Sequence, residues 1–447
     1  MESKEARQPH FVLVPFMAPG HMIPMVDMAH LLADRPGIVV TIVTTPVNAL
    51  RISSITDAVA RSSLPIRFVT LPFPAAEFGL PDGCENLDIL PSRELAPSFL
   101  DATRTLRAPL EHHLRTTVPP PSCIISDSGH PWTIGVARDL HIPRVIFHGF
   151  GCMALLCLHV VREYKLLEKT GNKDDDDKAF EIPGFPDQIQ MTRAQLSGYK
   201  SIVNESKYRE EIILADAASD GVVVNSFDDL EPSYREYYEK AIRKRVWTIG
   251  PMLLSSRNDV NMAVRGNKSS IDEDFCRKWL DTMEPGSVIY VSFGSLARTP
   301  LFQLVEIGLG LEASNCPFVW VIKAGDQADE VDKWLASGDG DDRGFEERIR
   351  AKGLVIRGWA PQSMILEHPA VGGFMTHCGW NSTIEAVVAG VPMATWPHFA
   401  EQFVNEKLVV EKLRIGVVVG AKRVVGWREV QDKLTVGRVR WKRLCGV

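Results

Sequence analysis

The sequence predicts an α/β protein built from two doubly wound parallel-sheet domains, on three observations. Short β-branched runs alternate with helical stretches from one end of the chain to the other. The runs are continuously apolar rather than alternating, as strands of a parallel sheet are when helices cover both faces. A single polar stretch with Gly and Pro and no periodicity, residues 250–275, separates two such series. At roughly 150 residues per domain, the 447-residue length agrees with two or three domains.

In the first series the strand runs are FVLVPF (11–16), VVTIVTT (39–45), IRFVTL (66–71), CIISD (123–127), PRVIFHG (143–149) and GVVVNSF (221–227). A helix, MVDMAHLLADR, follows the first strand, with Pro24 in its first turn. The second series runs VIYVSFGS (288–295), FVWVIK (318–323), GLVIRGW (353–359), VGGFMTH (371–377) and VPMATW (391–396). The expected organisation is therefore an N-terminal domain over 1–249, a linker over 250–275 and a C-terminal domain over 276–447. The acidic string GNKDDDDKAF (171–180) resembles an enteropeptidase cleavage string, but its internal position favours a solvated loop.

Composition narrows the function. Lys and Arg number 50 against 56 Asp and Glu, a net charge of −6, so nucleic acid is a poor partner. Eight cysteines lie scattered with no CxxC pair, which fits a reducing compartment better than a disulfide framework or zinc site. The N-terminus has no signal-like apolar region, and the apolar run Gly151–Val161 is far short of the roughly 20 residues that span a bilayer. No transmembrane segment is expected, and the expected location is cytoplasmic. The Asn-x-Ser/Thr triplets at Asn204, Asn267 and Asn381 would then carry no glycan.

In open parallel sheets ligands bind beyond the carboxyl ends of the strands, where strand order reverses. The first strand runs out into Ala18-Pro19-Gly20-His21 and the fourth ends at Asp127. In the common order these two strands are neighbours, so His21 and Asp127 are candidates to meet. An imidazole held by a buried carboxylate is a general base; the plainer alternative is a helix-start histidine and a capping aspartate.

The second series ends in Gly294-Ser295, Trp359, His377 and Trp396-Pro397-His398, so polar and aromatic groups collect on one rim. After His377, CGWNSTIE reads as a turn entering a helix, with Gly379 allowing close approach and Asn381 and Ser382 at its start. Helix amides there make an anion site suited to a diphosphate, to which His377 and Ser295 can add hydrogen bonds. Glu385, one turn on, can accept from ribose hydroxyls, and Trp359 offers either a face for a base or plain core packing. The sequence lacks GxGxxG after the first strand, GxxxxGK[ST], HExxH and GxSxG, which counts against nicotinamide, P-loop, zinc-protease and hydrolase chemistry. No carboxylate cluster with metal-ligand spacing stands near the rim, and a diphosphate held this way needs no metal.

The stretch from Trp359 to Gln402, WAPQSMILEHPAVGGFMTHCGWNSTIEAVVAGVPMATWPHFAEQ, closely resembles the signature box of the plant UDP-dependent glycosyltransferases. PGHMIPMVDMAHLLA, CENLDILPS, WLDTMEPGSVIYVSFGSLA and NEKLVVEKLRIGVVVG also resemble this family, most of all its branch acting on flavonoids, terpenoids and steroid-like acceptors. The resemblance implies a GT-B fold, two Rossmann-like domains facing across a cleft, with the acceptor on the N-terminal and the UDP-sugar on the C-terminal domain. It implies His21 as catalytic base with Asp127 as its partner. Trp359, with Ala360 beside it in WAPQ, would stack the uracil, Gln362 and Glu385 would take the ribose, and Ser295, His377, Asn381 and Ser382 the diphosphate. Trp380, Glu401 and Gln402 would contact sugar hydroxyls, Gln402 in place of His implying glucose.

The implied reaction inverts the anomeric carbon of UDP-glucose, a co-substrate, to give a β-O-glucoside, with no cofactor or metal and a monomeric enzyme. Phe16, Met17, Phe150, Met153, His398 and Phe399 are candidates for the acceptor pocket or, equally, for the core. After Gly420 the resemblance stops. The segment 421–447 is basic, with only Glu429 and Asp432 against it, and 45 residues follow Gln402. A truncated or altered end is expected there, which leaves a catalytically impaired UDP-sugar-binding relative as the alternative to an active transferase.

Overall fold

The computed structural model describes residues 8–53, 56–57, 59, 64–168, 176–200, 206–254, 267–297, 299–323, 325–337 and 343–424. The middle of the 250–275 linker, the start of the acidic string, Asn204 and the divergent end past Val424 lie outside the described residues.

Fifteen strands are described. They are β1 (His10–Val14), β2 (Val39–Thr44), β3 (Ile66–Thr70), β4 (Cys123–Asp127), β5 (Arg144–His148), β6 (Phe180–Glu181), β7 (Gln190–Met191), β8 (Gly221–Val224), β9 (Arg245–Thr248), β10 (Val288–Ser292), β11 (Phe318–Ile322), β12 (Gly353–Arg357), β13 (Val371–Thr376), β14 (Met393–Thr395) and β15 (Gly416–Val418). One sheet has the order β3-β2-β1-β4-β5-β8-β9, the other β12-β11-β10-β13-β14-β15, and β6 pairs with β7 apart from both. Every ladder in the two large sheets is parallel. Both therefore run outward from a switch point, between β1 and β4 in one and between β10 and β13 in the other, as a doubly wound fold requires.

Five helices matter for the site: α1 (Pro19–Ala33), α2 (Cys152–Glu163), α3 (Gln362–Glu367), α4 (Trp380–Ala389) and α5 (Gln402–Lys407). In the first sheet Leu13, Val40, Ile42 and Phe147 are sealed against Met22, Met25, Met28 and Ala29 of α1. In the second, Val288, Tyr290, Val319 and Phe374 join Met364, Ile365 and Ala386 of α3 and α4. Burying apolar faces of this size at about 25 cal/mol per Å² is what holds each layer together.

Two local features depart from the sequence reading. α1 starts at Pro19, not near Pro24, so Pro24 lies inside the helix. Pro19 at the first position loses nothing, whereas Pro24 removes one bond to the Gly20 carbonyl, tolerated because the α1 face is held by the core. β9 and β15 were not expected; both are edge strands with few covered residues, so neither presents a continuous apolar run.

The chain divides into two compact units, one made of Met1–Leu155 and Val203–Asn267, the other of Leu156–Ile202 and Lys268–Val447. The inserted piece 156–202 is tied into the second unit by Asp187–Lys412 at 3.2 Å, by the Asp177–Arg423 ion pair and by a Val424 N–H to Ala194 carbonyl bond. Gly198 packs so tightly there that a Cβ would meet the Ala400 carbonyl oxygen at 2.6 Å. Among the described residues no helix is long and apolar enough to cross a membrane.

Candidate functional site

At the first switch point Val14 pairs with Ser126, which sets the carboxyl ends of β1 and β4 side by side. His21 enters from the first turn of α1, and its Nδ1 lies 2.7 Å from Asp127 Oδ2. Asp127 is 1% exposed, and its Oδ1 accepts the Gly129 N–H at 2.8 Å, so it is the turn residue and the histidine partner at once. Burial pulls its carboxyl upward, but the charge and hydrogen bond of His21 and the Gly129 amide outweigh that and hold it below the usual carboxylate range. An ionised Asp127 places the His21 proton on Nδ1 and leaves the lone pair on Nε2.

The His21 side chain is 31% exposed and lies edge-on to Phe16, whose ring also meets Phe99. The CENLDILPS stretch pins the surroundings. The Leu87 N–H donates to the Met17 carbonyl at 2.8 Å, Asn86 Nδ2 reaches Met22 Sδ, and Asp88 takes Arg51 in a two-pronged pair at 2.7 Å.

At the second switch point Ser292 pairs with Thr376, and the chain leaves through Gly294-Ser295 on one side and His377-Cys378-Gly379 on the other. The His377 imidazole is wedged between the two glycines: a Cβ at Gly294 would lie 2.5 Å from its Nε2 and one at Gly379 2.4 Å. Gly294 also has φ +78°, a second reason for glycine. Burial first, and His398 second, push the His377 pKa down to about 3, so the ring is neutral at physiological pH. Its buried Nδ1 meets no hydrogen-bond partner among the described residues.

α4 begins directly after Gly379, with no side-chain cap, so the amides of Trp380, Asn381 and Ser382 form its first turn. Gln362, Ser382 and Glu385 are joined. Gln362 Nε2 donates to Glu385 Oε2 at 2.5 Å and to Ser382 Oγ at 3.0 Å, while the Tyr290 hydroxyl donates to Gln362 Oε1 at 3.3 Å. Trp359 is half-buried beside the buried Ala360, its N–H held by Ser270 Oγ at 2.8 Å.

Trp380, Glu401 and Gln402 are buried. Gln402 Oε1 accepts the His398 and Phe399 N–H groups at 2.8 and 3.0 Å, and Asn405 Nδ2 donates to Glu401 Oε1 at 3.2 Å. Of the acceptor-pocket candidates, Phe16, Met17 and Met153 are buried in the first unit, where Phe150 is half-buried; His398 and Phe399 are buried in the second.

One residue of this rim was not read from the sequence. Lys323, closing the FVWVIK run, sets Nζ 5.0 Å from the centre of the Trp359 ring and 3.5 Å from the Ser295 carbonyl oxygen. Its position at the carboxyl end of β11 was the available signal. Among the described residues no group of three or more His, Cys, Asp and Glu is placed to hold a metal ion.

Two family models match the chain: a glycosyltransferase N-terminal domain over residues 9–254 and the UDP-glucuronosyl and UDP-glucosyl transferase model over residues 261–423. UDP-glycosyltransferase 73C6 of Arabidopsis thaliana is 47% identical over 96% of this chain and 85% of its own length. UDP-glycosyltransferase 1 of Barbarea vulgaris is 46% identical, again over 96% of this chain and 85% of its own. Among solved structures, UGT73P12 of Glycyrrhiza uralensis, complexed with glycyrrhetinic acid 3-O-monoglucuronide, superposes with a TM-score of 0.85 at 34% identity, covering 97% of this chain and 86% of that one. UGT89C1 of Arabidopsis thaliana, complexed with UDP-L-rhamnose, gives a TM-score of 0.70 at 31% identity over 98% of this chain and 93% of that one.

Proposed function

The chain belongs to the plant UDP-glycosyltransferase family, a GT-B enzyme that transfers sugar from a UDP-sugar, and from that premise we propose that it moves glucose from UDP-glucose to a hydroxyl of a small lipophilic acceptor. The acceptor class is a flavonoid, phenolic, terpenoid or steroid, and the product is a β-O-glucoside. The unit of residues 1–155 and 203–267 holds the acceptor, and the unit that includes 268–447 holds the UDP-sugar.

The observation that carries the reading is the His21–Asp127 pair at 2.7 Å, with the carboxylate kept ionised in a buried position. His21 Nε2 takes the acceptor proton as its oxygen attacks the anomeric carbon from the face opposite UDP. Asp127 stabilises the imidazolium that forms. Inversion turns the α-linked sugar into a β-glycoside. Preorganised groups meet the charge that develops on the leaving diphosphate: the first-turn amides of α4, Ser295, His377 and the ammonium of Lys323. Trp359 takes the uracil and Gln362 with Glu385 the ribose. UDP-glucose is a co-substrate in this scheme, so the rate of acceptor-dependent UDP release should be unchanged by EDTA.

Support for glucose comes from Gln402. Its Oε1 is committed to two backbone amides, so Nε2 is the atom left to donate to a sugar hydroxyl. One solved neighbour binds UDP-L-rhamnose, so the choice of sugar rests on this chain's own residues. The enzyme works as a cytosolic monomer.

The test incubates purified protein with UDP-glucose and a panel of phenolic and terpenoid alcohols. UDP release that depends on acceptor, with a β-anomeric product by NMR, is the expected result. UDP binding with no turnover on any acceptor would overturn it in favour of a non-catalytic relative.

A further inference from the structure

α2 begins without a cap of its own. The residues before it are Gly149, Phe150 and Gly151, none of which offers a side-chain acceptor to the first amides. Those amides go instead to a carboxylate remote in sequence. Glu231 Oε2 accepts the Cys152 N–H at 2.8 Å, and Oε1 accepts the Met153 N–H at 2.7 Å. The Ser226 hydroxyl donates to the same Oε2 at 2.5 Å.

Glu231 is only 2% exposed, and burying a carboxylate is costly unless its oxygens are satisfied. Burial pushes its carboxyl above the usual range against the pull of Ser226 and the two amides. Three donors and the positive end of a helix are what make the position tolerable. Packing alone would be served as well by a serine or aspartate at position 151, so the remote tie invites a reason.

The reason lies in the turn that α2 begins from. Only residues 149–151 separate β5 from α2, and that turn runs beside the proposed base. A Cβ on Gly149 would lie 3.8 Å from His21 Nδ1 and 3.8 Å from the Gly20 carbonyl oxygen. Phe150, the half-buried acceptor-pocket candidate, is the next residue. The turn is fixed at one end by the β5 ladder and at the other by Glu231.

We propose that Glu231 is a positioning residue for the acceptor side of the reaction, holding the Gly149–Phe150–Gly151 turn against His21 so that the acceptor hydroxyl meets the base correctly. It touches neither substrate, and the inference rests on the reading of His21 as that base.

The experiment compares the parent with Glu231→Ala and Glu231→Gln in acceptor-dependent UDP release, with hydrogen exchange measured in parallel. The acceptor KM should rise on the order of ten- to a hundredfold in Glu231→Ala, since small displacements at a reacting pair cost that much. Glu231→Gln, which keeps one acceptor oxygen, should fall between. The KM for UDP-glucose should stay within about twofold of the parent. Amides of Cys152 and Met153 should exchange faster, and those of β1 should not. Unchanged acceptor KM in folded protein, or both KM values rising together, overturns the proposal. So does a lower kcat that merely tracks the folded fraction. If Glu231→Ala fails to fold, Glu231→Gln decides. A parent that releases no UDP sinks the transferase reading, while exchange at Cys152 and Met153, which needs no substrate, still decides whether Glu231 holds the turn.

Discussion

The two sheets share one winding but carry opposite kinds of chemistry at their switch points. Beyond β1 and β4 stands an ion-pairing couple, His21 and Asp127, with the imidazole partly open to solvent. Beyond β10 and β13 the central imidazole, His377, is also half-buried, but it is neutral and gripped by two glycines. In the proposed reaction His21 changes charge, and Asp127 is placed to absorb that change. In the proposed diphosphate site His377 has to hold its place, and backbone stands on either side of it. The comparison teaches that strand order supplies only the location; the partner chosen for each histidine decides what it does.

Breaking the first couple should have the largest effect. His21→Ala and Asp127→Asn should each lower kcat by about 10²–10⁴-fold while the affinity for UDP, by calorimetry, is unchanged. Near-parental turnover in His21→Ala would refute the base assignment.

Breaking the second grip comes next, and it should move the other parameter. Gly294→Ala or Gly379→Ala forces a methyl to 2.5 or 2.4 Å from His377 Nε2, so the ring or the turn must shift. The KM for UDP-glucose should rise by about a hundredfold. A rise in acceptor KM alone would show that the two sites are not separable as drawn.

Acid separates them in a third way. Burial holds His130 at about 4, His377 at about 3 and His398 at about 4, whereas in the unfolded chain each titrates near 6.5. The unfolded chain thus takes up protons that the folded one refuses. Their stabilising effect is complete above pH 6.5 and is lost as pH falls towards 4 and then 3. Glu406, raised to about 7 by burial, runs the other way, since only the folded chain keeps its proton between 4.5 and 7. Glu231 adds to the Glu406 side and Asp127, at more acid pH, to the histidine side. With three histidines leading, the melting temperature should fall on acidification from 6.5 to 4.5, and His398→Phe should blunt the fall. A melting temperature that rises over that interval would contradict the neutral-histidine description.

Lys323→Ala sharpens the comparison by the smallest step. Loss of one ammonium beside Trp359 should weaken UDP binding by about two- to fivefold, with uridine affected less than UDP. Equal loss for both would place the role of Lys323 in orienting the ring rather than in meeting phosphate.

Much of this was legible in the residues. Every central strand announced itself as an apolar run, and the first switch point followed from the common strand order; in the second sheet only the rim of polar and aromatic strand ends was read. β9 and β15 escaped because an edge strand covers few side chains, and the start of α1 escaped because Pro24 looked like a beginning rather than an interruption. At the site, the Trp359–Gln402 box is contiguous, so its residues could be read off in one pass. Lys323 is a single charge at a strand end and carries no local pattern. Glu231 is harder still: the two helix amides it caps lie 79 and 78 residues away, and no periodicity links them.

The piece 156–202, which packs with Lys268–Val447 although it precedes the linker, has a consequence for engineering. The path from one unit to the other is covered three times along the chain, so a cut at the linker does not part the molecule where it is built. A chimera made by joining the first 254 residues to the later half of a relative would carry Asp187 and Gly198 to a partner that must supply its own Lys412 and Ala400. Exchange of acceptor preference by such grafts should succeed when 156–202 travels with the second half, and yield poorly soluble protein when it does not.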